Sequence, residues 1–130
     1  MATTTYKLAR QIGGRGAFAR VTIDVVETNE PFKVYVSEGL ERPSSYIAAA
    51  IFGIEFAREQ VFTEHSYLPG ARVTILNIEE SPADTLLLHV AYAAYHAFCD
   101  AIGASLDRRI EIDGGNQCML FPLGRAANTA

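Results

Sequence analysis

Cysteine is scarce in this 130-residue chain, with only Cys99 and Cys118 present, so no disulfide framework is expected and both read as free thiols. The opening MATTTYKLARQ lacks the apolar stretch of a secretory signal. The longest apolar runs, such as residues 46–54, are broken by small or polar residues and are too short to cross a bilayer. A cytoplasmic location with no membrane role is the expectation. Cationic excess is also missing. Eleven Lys and Arg against fifteen Asp and Glu give a net charge of -4 and a pI near 5.3, which argues against coating nucleic acid by bulk electrostatics and leaves room only for a local basic patch. No Gly-x-x-x-x-Gly-Lys-Ser/Thr stretch exists to cradle a nucleoside triphosphate, so GTP hydrolysis is not expected and no cofactor is implied. Repeats, low-complexity blocks and Pro/Gly/Ser-rich linkers are absent too, which leaves one domain over 1–130 in which only the two ends look loose, the amino-terminal residues and the tail at 124–130.

What is present is ordinary globular material. A hydrophobic fraction of 49% with 20% charged residues is enough for a single packed core. Residues 17–27 alternate, with Ala19, Val21, Ile23 and Val25 on one face and Arg20, Thr22 and Asp24 on the other, the pattern of a half-buried strand. After the turn-forming TNEP, residues 32–38 alternate again, which predicts an antiparallel hairpin with the preceding strand. From Pro43 the spacing of Ile47, Ala50, Ile51, Ile54 and Val61 becomes helical, and Ser44 or Ser45 is the expected cap. A breaker at 67–70 precedes a third strand, ARVTILNIEE. Pro82 and Asp84 then open a second helix that ends at Gly103, a left-handed cap position. Residues 106–123, with RRIEI, DGGN and QCMLF, read as a terminal hairpin. This order gives an α+β, two-layer sandwich: a mostly antiparallel sheet with both helices on one face.

The segment RQIGGRGAFARVTIDV resembles the opening of domain IV of the elongation factor G family, with Arg10, Gln11, Gly13, Gly14, Arg15, Gly16, Phe18 and Val21 fitting the family pattern. Pro43, Tyr46, Ile47, Ala49, Gly53 and Ile54 are similar to that domain's first helix at the same spacing. Gly70, Val73 and Ile75 on the following strand and Ala97-Phe98 late in the second helix add a weaker match. The likeness covers about residues 7–102. It implies the family's split β-α-β fold with a left-handed crossover, and structured RNA or the ribosome as partner. Where the family carries a long histidine-bearing tip loop, this chain has only EESPAD, shorter and acidic. That departure speaks against translocation by the family's mechanism, since anionic groups repel phosphates.

Three features carry chemistry. The first is the GGRG loop, where Arg10, Gln11, Gly13, Gly14, Arg15, Gly16 and Arg20, with Lys7 nearby, concentrate positive charge and glycine amides suited to phosphate contact. The plainer reading, a turn needing positive φ with solvated arginines, weighs more. The second is a stripe of His89, Tyr92, His96 and Cys99 along one side of the second helix. Its histidines lie about 10 Å apart in helical rise, too far for one metal, so no metal is expected and a contact stripe for a second subunit is the reading, giving a homo-oligomer. The third is the 39–45 loop, which has a faint likeness to the phosphate loop of GHMP kinases, interrupted by Glu41-Arg42-Pro43. A phosphate-binding enzyme on that basis is the least favoured alternative. The reading that remains is a non-enzymatic binding or assembly domain contacting structured RNA or the ribosome, with an oligomeric scaffold as alternative.

Overall fold

The computed structural model describes residues 2–12, 14–66, 70–103, 106, 108–112 and 119–121. The element order is β1 (Thr3–Ile12), β2 (Arg15–Glu27), β3 (Lys33–Val36), α1 (Ser44–His65), β4 (Ala71–Glu79), α2 (Leu87–Ile102), β5 (Glu111–Ile112) and β6 (Met119–Leu120). The first four strands form one sheet in the order β1-β2-β4-β3, and β5 and β6 pair separately. Both helices pack against each other and on one face of the sheet, which makes the two-layer, mostly antiparallel α+β sandwich expected from the pattern. No helix among the described residues is long and apolar enough to cross a membrane.

The core follows from the strand alternation. Ala17, Ala19, Val21, Ile23 and Val25 of β2 and Ala71, Val73, Ile75 and Ile78 of β4 all point beneath the helices and are buried. In β4 the alternation slips by one residue between Ile75 and Asn77, where a bulge opposite Thr22 and Ile23 returns Ile78 to the interior. Helix α2 lies across β1 and β2 and is interior on nearly every side, with His89 through Cys99 all buried. It is the core helix, and its composition explains why: alanines at 91, 93, 94, 97 and 101 let neighbouring backbones approach closely while Tyr95 and Phe98 fill the remaining space.

Four expectations are corrected. The amino-terminal residues are not loose: Thr3–Ile12 is a ten-residue strand paired along its length with β2, and its threonines and mixed polar residues obscure the period. Residues 33–36 do not form a hairpin with β2. They pair parallel with β4, Lys33 beside Arg72 and Val36 beside Ile75, because the strand returning from α1 inserts between β2 and β3. Neither Ser44 nor Ser45 caps α1; the cap position is Pro43, with no side-chain hydrogen bond. Helix α2 starts at Leu87 rather than at Asp84, because 82–84 form a turn in which Asp84 and Thr85 amides both donate to the Ser81 carbonyl. The α2 terminus agrees with expectation, Gly103 standing at φ 66°. The β5–β6 ladder is the framework of the anticipated terminal hairpin. The 67–69 breaker, the 113–116 turn, Cys118 and the 124–130 tail lie outside the described residues.

Candidate functional site

The β1–β2 turn sits at one end of the sheet. Ile12 pairs with Arg15, so two positions join the strands, and Gly14 has φ 77°, a conformation that glycine adopts without a steric cost. Gly13 lies outside the described residues. The EESPAD segment comes to the same end. Phe18 donates its amide to the Asp84 carbonyl at 3.2 Å, and the Thr85 hydroxyl donates to the Phe18 carbonyl at 2.6 Å. Gly16 lies so close to the Asp84 carboxyl that a Cβ there would stand 2.6 Å from one carboxylate oxygen. An acidic loop is thus stapled beside the turn that carries Arg15.

The basic residues of this segment do not form one patch. Alternation along β1 and β2 puts Arg10 and Arg15 on the helix side of the sheet, and Lys7 and Arg20 on the open side. Arg20 is ion-paired with Glu79, its partner across the β2–β4 ladder, at 3.0 Å; both are well exposed, so the pair contributes little stability. Arg10 and Arg15 form no ion pair among the described residues. Instead Arg10 Nη2 donates to the Tyr92 hydroxyl at 3.4 Å, with its guanidinium 5.8 Å from the Tyr92 ring centre. Gln11 is exposed on β1, and alternation puts it on the open side.

Behind Arg10 is an aromatic cluster around His96. The His96 ring stacks on Tyr6 at 4.6 Å and contacts Tyr92 and Tyr95 at 4.4 and 5.1 Å. Its Nε2 lies 3.0 Å from the Ile110 carbonyl, and its Nδ1 lies 3.3 Å from Arg109 Nη1. A carbonyl only accepts and a guanidinium only donates, so His96 is neutral with its proton on Nε2. Burial lowers its pKa, and the guanidinium of Arg109 acts in the same direction. Arg109 also reaches Asp100 at 2.8 Å, tying the 108–112 segment to α2. Burial, with the Tyr92 hydrogen bond, pushes the Tyr6 hydroxyl up to about 12. Burial pushes the Cys99 thiol up to about 11, so it stays protonated and is a weak nucleophile at neutral pH.

His89, Tyr92 and His96 therefore do not form an exposed stripe. All three are buried inside this chain, because α2 is covered by the sheet, by α1 and by the segment after it. His89 Nδ1 accepts the Leu86 amide at 2.9 Å, closing the first turn of α2. His65 is exposed in the last turn of α1. In the 39–45 loop Arg42 is turned inward, donating to the Ile78 carbonyl at 2.6 Å and the Glu41 carbonyl at 2.7 Å. Among the described residues no group of three or more His, Cys, Asp or Glu is arranged to hold a metal.

One constellation escaped the sequence reading. A cavity of about 310 Å³ lies at the other end of the sheet, lined by Thr28, Glu30, Pro31, Phe32, Lys33, Tyr35 and Arg72. No motif marks it, because Lys33 and Arg72 become neighbours only through the parallel β3–β4 pairing.

No protein-family model matches this chain, and no curated protein matches it. Among solved structures, a crystal structure of a protein from Thermus thermophilus shares 26% identity and a TM-score of 0.61. The match covers 75% of this chain and 15% of the other, so the fold described here is similar to one segment of a much longer protein.

Proposed function

We propose that this chain is a non-catalytic binding domain that contacts structured RNA at the β1–β2 turn. One observation carries the reading: Arg10 and Arg15, two cations without a carboxylate partner among the described residues, share one side of the hairpin, with Gly14 in a left-handed conformation between them. Guanidinium groups beside a glycine turn suit phosphate oxygens. The Tyr92 hydroxyl orients Arg10, which reduces the freedom lost on binding. Asp84, on the other side of the turn, repels phosphate and accepts hydrogen bonds from base edges or 2′-hydroxyls, so it favours a folded RNA presented in one orientation over a bare anionic rod. The likeness of the opening segment to domain IV of the elongation factor G family supports the same ligand class.

Filter binding with a structured RNA across a salt series tests this. Binding at low salt, weakened by Arg15→Ala with a salt slope reduced by about one, is the expected result. Absence of binding at low salt, or affinity unchanged by Arg15→Ala, overturns the reading.

A further inference from the structure

The cavity at the far end of the sheet has features of a built site. Lys33 and Arg72 sit side by side in the β3–β4 ladder on the open face, and both are exposed. Neither makes an ion pair among the described residues. Adjacent like charges on one sheet face repel each other, and an anion held between them would relieve that repulsion. The nearest open-face carboxylate on β2, Asp24, lies one row further along and already accepts a hydrogen bond from the Thr3 hydroxyl at 2.8 Å.

The rest of the lining is preorganised. The 28–31 loop is fixed by its own hydrogen bonds: Glu30 donates its amide to the Thr28 hydroxyl oxygen at 3.2 Å, and Thr28 donates its amide to the Gly70 carbonyl at 2.9 Å. Gly70 allows this loop to close, since a Cβ there would collide with the Glu30 and Thr28 carbonyls. The Tyr35 ring stands beside Lys33, with the ammonium 5.4 Å from its centre. Pro31 and Tyr35 supply flat apolar wall, and Glu30 supplies a carboxylate that accepts from hydroxyl groups.

We infer that this cavity binds a small phosphorylated polyol, a sugar phosphate or a nucleoside monophosphate, with the phosphate between Lys33 and Arg72 and a ligand hydroxyl on Glu30. Two adjacent cations match a dianionic phosphate better than a carboxylate. Arginine contributes a fork of donors and lysine a point charge. The volume is at the small end of the range for ligand sites. This proposal is independent of the RNA reading, which concerns the opposite end of the sheet.

Isothermal titration calorimetry on the whole chain at low ionic strength provides the test, using ribose 5-phosphate, adenosine 5′-monophosphate and adenosine. The phosphate esters should bind and adenosine should not. Lys33→Gln and Arg72→Gln should each weaken binding by about tenfold or more, the effect of losing one charged hydrogen-bond partner. Both should melt at or slightly above the parent's temperature, because each removes a repulsion. Arg15→Ala should bind as the parent does. The proposal is overturned if neither ester binds, if adenosine binds equally well, or if both glutamine variants retain full affinity. Tighter binding of a five-nucleotide RNA, abolished by Lys33→Gln, would assign the site to a strand and also overturn it.

Discussion

Gly53 in the middle of α1 lies against the carbonyl of Ala91 on α2. A Cβ at Gly53 would collide with that oxygen and come within 3.1 Å of the Tyr95 amide nitrogen. The two helices approach closely at this crossing because one has no side chain there and the other offers alanines.

A glycine inside a helix ordinarily costs about 1 kcal/mol relative to alanine, so Gly53→Ala would stabilise a free helix. Here the obstructing atoms are backbone and cannot turn aside. We expect Gly53→Ala to destabilise the domain by about 1–3 kcal/mol, the usual cost of overpacking. Urea unfolding checks the sign, and a stabilised variant would show that the helices separate without cost.

At the hairpin end, the Gly16 and Asp84 contact predicts a coupled pair. Gly16→Ala should be destabilising because the new methyl group drives the Asp84 carboxyl aside and strains the Phe18 amide bond to the Asp84 carbonyl. Asp84→Ala removes the obstructing carboxyl. The double variant should then be more stable than the sum of the two single effects implies, with a coupling of about 0.5–3 kcal/mol. Strict additivity in a double-mutant cycle would place the two residues apart.

His96 predicts a pH dependence. Its folded pKa lies below the ordinary value of 6.5, so as pH falls through 6.5 the unfolded chain takes up a proton that the folded chain does not. Stability from this group is present in full above 6.5 and declines as pH falls toward the lowered folded value. His96→Gln should flatten that slope relative to the parent. Protonation also turns Nδ1 into a donor facing the Arg109 guanidinium, so the amides of residues 110–112 should lose protection from exchange at acidic pH once the slower intrinsic exchange at that pH is allowed for. Equal protection factors at pH 7 and pH 5 would contradict the hydrogen-bond assignment.

The period-two runs on β2 and β4 and the 3.6-period run on α1 were legible because each buries one face against a single neighbour. Strand β1 was not, because it is an edge strand whose outward residues are Thr3, Thr5, Lys7, Ala9 and Gln11 and whose inward row mixes Tyr6 and Leu8 with Thr4 and Arg10. The helical stripe of His89, Tyr92, His96 and Cys99 was correctly spaced on one side of α2, and its polarity suggested exposure. Burial reverses that inference: the Leu86 amide satisfies His89 Nδ1, and the Ile110 carbonyl and Arg109 satisfy both ring nitrogens of His96, so both side chains are accommodated in the interior.

The sequence alone determined which segments are strands and helices over most of the chain, the two-layer class, and a glycine turn ahead of β2, since these depend on local periodicity and backbone freedom. Tertiary structure decided the rest. It paired β3 with β4 in parallel, sent Arg10 and Arg20 to opposite sides of the sheet, laid Asp84 against Gly16, and set Lys33 beside Arg72. Each of these depends on which strands lie side by side and in what register, and a one-residue change in register turns every side chain to the other face.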